Sequence, residues 1–188
     1  MDNFITTYKQ SLIELINDTN NLEIENIIQY IDNTKGKIYI IGNGGSAATA
    51  SHMANDLGIG LKRRNIKNYN VESLADNISI ITAISNDIGY ENIFYTQLQN
   101  KLTSNDLLIA ISCSGNSPNI LKAVEYANNI KTTVIGFTGF DGGKLKKLSD
   151  ISLHINTQKG KYGLVEDIHM IINHIIFSYF VEKNNNGE

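Results

Sequence analysis

Two loops rich in glycine and serine, each directly after an apolar run, carry the residues best suited to chemistry. Lys37–Ile41 leads into Gly42-Asn43-Gly44-Gly45-Ser46, and Leu107–Ile111 leads into Ser112-Cys113-Ser114-Gly115-Asn116-Ser117. Each run is typical of a buried parallel strand, and each loop is predicted to open a helix. Glycines let backbone approach a ligand, while hydroxyls, free N–H groups and the helix dipole favour an anion, most often phosphate.

Helix capping is an equally good explanation for either loop taken alone, because Ser46 and Ser117 are favourable N-cap residues. The loops also lack the later glycine of a dinucleotide fingerprint and the lysine of a P-loop. Their equivalent positions after two strands favour the ligand explanation and indicate one small phosphorylated ligand.

Histidines and carboxylates on two predicted helices form the second chemical feature. His52 and Asp56 are four residues apart and therefore share a helix face, whereas Glu166, His169 and His174 lie on the C-terminal helix. Imidazole and carboxylate are ligand types that zinc accepts, and both groups suit proton transfer. Each residue taken alone is better explained as a solvated, core or surface group.

The segments that must position these residues alternate between helix and strand. Amphipathic spacing predicts two N-terminal helices, one through residues 5–16 and one over 22–31. The remaining predicted helices lie near 46–61, 78–85, 90–102, 119–128 and 164–181, and the predicted strands at 37–41, 69–72, 107–111, 132–138 and 151–155. This α/β alternation predicts a central parallel sheet with helices on both faces and a ligand beyond the carboxyl ends of the strands.

Composition limits the class of protein. The 188 residues, of which 41% are hydrophobic and 19% charged, suit a single domain over 1–183, divided into N-terminal helices at 1–34 and the sheet with the C-terminal helix at 37–183. The polar tail 184–188 is expected to be disordered. A net charge of −3 argues against nucleic acid as partner, and no apolar run predicts a membrane span. The single cysteine, Cys113, suggests a cytoplasmic location.

The motifs together resemble one family, the phosphoheptose isomerases of the sugar isomerase (SIS) superfamily, over nearly the whole chain. The resemblance is carried by Asn43-Gly44-Gly45-Ser46-Ala47-Ala48, then His52, Ser85-Asn86-Asp87 and the serine loop 112–117. It implies a flavodoxin-like αβα sandwich, assembled as a homotetramer with active sites at subunit interfaces. It further implies phosphate contacts from Ser112, Ser114 and Ser117, and sugar contacts from the loop at 43–45 and from Asn86-Asp87. Cys113, Ser46 and Glu166 complete the expected substrate contacts.

The activity that the resemblance implies is an aldose–ketose isomerisation of sedoheptulose 7-phosphate through an enediol, in bacterial heptose biosynthesis for surface polysaccharide. The family analogy assigns the proton transfers to Asp56 and His174. Family members can carry a metal at positions that correspond to His52, Asp56, Glu166 and His174, so one Zn²⁺ per subunit is expected.

Three departures from the family pattern bear on the site. Asp56 stands where glutamate is usual, Glu166 where glutamine is usual, and Gly60 where an arginine is common. Glu166 and His174 are eight residues apart, about 12 Å along a regular helix. To share one ion they require a distorted helix or different subunits, with His169 as the reserve ligand.

Two other functions remain open from the sequence. Some SIS domains bind sugar phosphates or a protein partner without catalysis, although His52, Asp56 and His174 have no evident use in such a module. The other alternative is an isomerase of a different phosphosugar, which the loop chemistry fits equally well.

Overall fold

A five-stranded, wholly parallel sheet forms the centre of the protein. The computed structural model describes residues 1–185. The strands follow the order β2-β1-β3-β4-β5, which is the order of flavodoxin-like doubly wound folds. The strands are β1 (Lys37–Gly42), β2 (Asn70–Ser73), β3 (Leu107–Ser112), β4 (Thr133–Phe140) and β5 (Ile151–Asn156). The predicted αβα sandwich with a parallel sheet is confirmed.

Helices cover both faces of this sheet because the central strands are buried on both sides. The helices are α1 (Asp2–Asp18), α2 (Asn21–Asn33), α3 (Gly45–Ala54), α4 (Ile78–Ile88), α5 (Ile93–Leu98), α6 (Pro118–Asn129), α7 (Gly143–Leu148) and α8 (Tyr162–Asn185). One apolar cluster joins α2, α3 and α8 to the sheet, and a second joins α5, α6 and α7 to the opposite face. The stripe of α2 contributes Ile24, Ile27, Ile28 and Ile31, each worth roughly 1.5–3 kcal/mol when fully buried.

Several predicted boundaries were wrong for identifiable reasons. The helix expected over 46–61 changes at Ala54 into a π-helical segment, Asn55–Gly60, where two glycines weaken regular helix formation. The helix expected over 90–102 divides into a 3₁₀ turn, Tyr90–Asn92, and α5. The short helix α7 follows β4 where only a glycine loop was predicted.

The C-terminal helix also departs from expectation. It continues through Asn184 and Asn185, which were expected to belong to a disordered tail, and residues 186–188 lie outside the described residues. By length and composition alone this helix could cross a bilayer, a test that a core helix also passes. Its buried face packs against the sheet through Ile168, Ile172 and Ile176, so these side chains belong to the core of the domain.

The serine loop after β3 is fixed by the segment that runs from the end of β4 into α7. The N–H of Leu145 donates to the carbonyl of Gly115 at 2.9 Å, and the N–H of Gly139 donates to the carbonyl of Cys113 at 2.9 Å. Gly115 has φ +60°, and a Cβ at this position would collide with the carbonyl oxygen of Gly142. Only glycine therefore allows the two loops to approach this closely.

Gly115→Ala tests this packing. We expect it to lower the free energy of unfolding by ~3 kcal/mol, because backbone strain and a collision with fixed backbone add together. Gly160→Ala is the matched control: its φ is +94° but nothing lies within 4 Å of the added Cβ. The control should lose only ~1 kcal/mol from strain. Equal losses in urea unfolding would show that the loop contact does not constrain position 115.

Candidate active site

The two glycine and serine loops lie side by side at the carboxyl edge of the sheet. Gly42 of β1 pairs with Ile111 of β3, so Asn43 and Ser112 leave adjacent strands at the same level. A cavity of about 140 Å³ opens between the loops. Its lining residues are Asn43, Ser46, Ile111, Ser112, Cys113, Ser114, Ser117, Tyr162 and Glu166. The structure thus brings together most of the residues predicted to contact a ligand.

The serine hydroxyls of this cavity are not used to cap helices. Gly44, with φ +55°, is the N-cap of α3, so Ser46 is not the cap. Ser117 occupies the N-cap position of α6 but makes no side-chain capping bond. Its Oγ lies 3.3 Å from Oγ of Ser112. The capping explanation is therefore wrong for Ser46 and leaves the Ser117 hydroxyl free to bind a ligand.

Dipoles rather than full positive charges make this cavity attractive to an anion. No lysine or arginine is among its lining residues in the described part of the chain, 1–185. The first turn of α6 contains no acidic residue, and Pro118 begins the helix. Backbone N–H groups and the positive end of the α6 dipole therefore face the cavity together with the serine hydroxyls.

Glu166 occupies the other helix N-terminus in the site. Its carboxyl group lies directly over Gly45 in the first turn of α3, where any Cβ would collide with it. Burial raises the pKa of the Glu166 carboxyl, and the negative charge of Asp167 raises it further. Asp167 in turn accepts a 2.6 Å hydrogen bond from the Tyr8 hydroxyl of α1. The N-terminus of α3 thus holds a carboxyl group of the chain itself.

Cys113 is a buried thiol and not an activated nucleophile. Its Sγ lies 4.0 Å from Oε1 of Glu166. Burial, followed by the charge of Glu166, raises the pKa of the thiol to about 11. Because the thiolate is the reactive form, Cys113 is unreactive near neutral pH and serves as an apolar part of the cavity wall.

A separate group of titratable side chains joins α3, the π-helical segment and α8. Nε2 of His52 lies 3.1 Å from Nε2 of His174 and 3.3 Å from Oδ2 of Asp56. Ligand atoms of the three residues all lie within 4.8 Å of one another. Both histidines are exposed, whereas Asp56 is buried, so the group forms the floor of an open surface site.

This geometry fits a divalent metal ion. Two imidazole nitrogens that bind one tetrahedral zinc at their usual bond lengths lie about 3.3 Å apart. The observed 3.1 Å between the imidazoles and 3.3 Å to Asp56 agree with that spacing. Oδ2 of Asp56 also accepts a 2.9 Å bond from the buried amide of Asn173, which fixes the carboxylate as an outer partner does at metal sites.

Two predicted members of the metal site lie elsewhere in the chain. Glu166 lies in the cavity, and because α8 is a regular helix, no distortion brings it to His174. His169 is fully buried, with Nε2 3.3 Å from the carbonyl of Thr138 and its ring against Phe137. Burial lowers the pKa of His169 to about 4, so it is a neutral core residue.

Asn86 and Asp87 lie on a different surface. They are exposed near the end of α4 and bond to each other, with Nδ2 of Asn86 2.9 Å from Oδ1 of Asp87. They do not line the cavity between the two loops. Helix α4 contains no buried residue although it is strongly apolar, with Ile78 and Ile88 more than half exposed.

Sequence reasoning missed three residues that support the site. Asn119 and Tyr90 bond to Asn43, and Asn173 bonds to Asp56. A signal for two of them was present, because Asn119 and Asn173 are polar residues within helical stripes that are mostly apolar. Tyr90 carries no comparable signal, because its hydroxyl reaches Asn43 only through the tertiary fold.

Comparison with known proteins agrees with this geometry. Residues 4–139 match the family described as SIS domain. The phosphoheptose isomerase of Helicobacter pylori is 40% identical over 84% of this chain and 82% of its own. The structure of phosphoheptose isomerase from Neisseria gonorrhoeae has a TM-score of 0.81 at 27% identity, covering 96% of each chain. That of the Francisella tularensis enzyme has a TM-score of 0.84 at 26% identity, covering 97% and 96%.

Proposed function

The chain belongs to the SIS domain family, among the phosphoheptose isomerases, and we propose that it converts sedoheptulose 7-phosphate into a heptose 7-phosphate for bacterial heptose biosynthesis. The observation that carries this proposal is the cavity at the N-terminus of α6, with the hydroxyls of Ser112, Ser114 and Ser117 on its wall. A phosphate needs several hydrogen-bond donors, and this loop offers three hydroxyls in addition to helix N–H groups.

The reaction moves one proton between two neighbouring carbons. A base removes a proton from C1 of the ketose while the carbonyl electrons move to the C2 oxygen, which takes a proton and gives an enediol. The O1 proton then leaves as C2 receives a proton, and the aldose results. We assign the carbon-bound proton to the carboxylate of Asp56 and the oxygen-bound protons to the imidazole of His174.

His52, Asp56 and His174 are the residues that would hold a metal ion, and zinc suits two imidazoles and a carboxylate. When bound, such an ion supplies a positive charge that polarises the substrate oxygens. Asn173 keeps the Asp56 carboxylate in place through its 2.9 Å bond. Within one chain Glu166 belongs to the substrate cavity, and its predicted share in the metal site requires a neighbouring subunit.

We further propose that the protein is a cytoplasmic homotetramer with sites between subunits. Support comes from the apolar side chains of α4 that residues 1–185 leave exposed, Ile78, Ile80 and Ile88, and from exposed Phe4, Ile5 and Ile13 on α1. Exposed apolar patches of this kind mark interfaces. Asn86 and Asp87 lie on α4, so an interface there would bring them to the sugar of an adjacent subunit.

The function is tested by following the conversion of sedoheptulose 7-phosphate by NMR. The wild type is compared with a double variant that carries Ser114→Ala and Ser117→Ala. We expect the wild type to form a heptose 7-phosphate, and the double variant to raise KM ~100-fold, because two bonds to an anion are lost. Ser149→Ala, which removes a hydroxyl that donates to the carbonyl of Leu145 and does not line the cavity, is the control and should keep the wild-type KM. Conversion of only another phosphosugar would establish the alternative isomerase, and conversion of none would favour a binding module.

Elemental analysis with turnover measurements tests the metal and proton roles. We expect about one zinc per chain, lost in His52→Ala and retained in the control His154→Ala, whose ring bonds to Thr138 outside the group. Asp56→Asn keeps an oxygen ligand but accepts no proton, so turnover should fall at least ~100-fold while zinc remains. If metal-free protein is fully active, the reaction does not need the ion. If Asp56→Asn is fully active, Asp56 is not the base.

Light scattering tests the assembly. We expect a particle of about four times the 20.9 kDa chain mass. Ile78→Asp with Ile88→Asp should reduce that mass, because a charge at each position opposes burial of α4. A stable wild-type monomer at micromolar concentration would contradict both the tetramer and the shared site.

A further inference from the structure

A closed set of hydrogen bonds surrounds the side chain of Asn43, which lines the cavity. Nδ2 of Asn43 donates to Oδ1 of Asn119 at 2.9 Å, and Nδ2 of Asn119 donates back to Oδ1 of Asn43 at 2.8 Å. The Tyr90 hydroxyl lies 2.9 Å from the same Oδ1 of Asn43. Asn119 is 1% exposed, whereas Tyr90 is 52% exposed.

A main-chain group decides the direction of every bond in this set. The N–H of Ile120 donates to Oδ1 of Asn119 at 3.0 Å, and an amide N–H cannot act as an acceptor. Oδ1 of Asn119 is therefore oxygen, its Nδ2 must face Asn43, and the Asn43 oxygen must accept. The Tyr90 hydroxyl, which faces that same oxygen, must donate.

The consequence is that Asn43 can offer its ligand only a donor. Its carbonyl oxygen has two lone pairs, and Asn119 and Tyr90 occupy both. Of its two amide hydrogens, Asn119 takes one, and the other has no partner among residues 1–185. The other polar groups on the cavity wall are the hydroxyls of four serines and of Tyr162, together with the Glu166 carboxyl. A phosphate oxygen is an acceptor only, so it can bond to the Asn43 amide and to these hydroxyls.

We propose that Asn119 and Tyr90 are positioning residues that fix the Asn43 amide as a hydrogen-bond donor to the substrate phosphate, in place of the sugar contact that the family resemblance implies for Asn43. The proposal rests on the proposed function in that it takes the ligand to be a phosphosugar. It adds a specific role for each neighbour of Asn43. The N–H of Ile120 orients Asn119, Asn119 orients Asn43, and Tyr90 occupies the remaining lone pair of the Asn43 oxygen. An amide held this way loses little freedom on binding, so the gain appears in affinity and not in the chemical step.

A double-mutant cycle with inorganic phosphate as the probe tests this proposal. In the wild-type background, Asn119→Ala should weaken phosphate binding about tenfold and Tyr90→Phe about threefold, because each frees the Asn43 amide to rotate. In an Asn43→Ala background the same changes should alter the dissociation constant by less than about 1.5-fold. A residue with a merely structural role would give equal effects in both backgrounds.

Asn128→Ala is the matched control, since Asn128 lies at the other end of α6 and its side-chain amide donates to the carbonyl of Leu148. It should leave phosphate affinity unchanged. With sedoheptulose 7-phosphate, Tyr90→Phe should raise KM and leave kcat within about twofold. If Asn119→Ala fails to fold, the same double-mutant cycle is measured with Tyr90→Phe and Asn43→Ala, because Tyr90 is exposed.

Three results would overturn the proposal: phosphate affinity unchanged by Asn43→Ala, additive effects of Asn119 or Tyr90 with Asn43, or loss of kcat at constant KM in Tyr90→Phe. Binding of inorganic phosphate does not depend on which sugar is isomerised. A wild type that binds phosphate but does not convert sedoheptulose 7-phosphate would therefore contradict the proposed function and leave the cycle intact.

Discussion

The parallel pairing of β1 with β3 is the constraint on which the site depends. The chain crosses to β2 on one side of β1 and to β3 on the other, so the loops after β1 and β3 meet where the strand order reverses. The register sets Gly42 beside Ile111 and thereby places the N-termini of α3 and α6 next to each other. The positive ends of both helix dipoles therefore lie at a cavity whose lining, among residues 1–185, contains no lysine or arginine.

The two helix ends have different occupants. Glu166 covers the first turn of α3, over a glycine that admits no side chain, while the N-terminus of α6 faces an open cavity. Because the Glu166 carboxyl occupies the N-terminus of α3, the open N-terminus of α6 is the place left for a phosphate.

Much of this arrangement could be predicted from the sequence, because strands and loops are encoded locally. The run at 107–111 needed only hydrophobic patterning, and the strand predicted there is confirmed. Loop chemistry was enough to single out the serines after it, which lie on the cavity wall. The π-helical segment could not be predicted, because two glycines permit it without requiring it. The roles of Asn119 and Tyr90 also escaped, since their bonds to Asn43 join residues separated by 76 and 47 positions.

The central claim is that the phosphate binds at the N-terminus of α6, and a crystal structure with sedoheptulose 7-phosphate tests it most directly. The account predicts phosphate oxygens within hydrogen-bond distance of Ser112, Ser114 and Ser117, with the Asn43 amide as a further donor and the first two sugar carbons beside Asp56 and His174. A phosphate that instead displaces Glu166 from the N-terminus of α3, or that lies outside the cavity between the two loops, would contradict it.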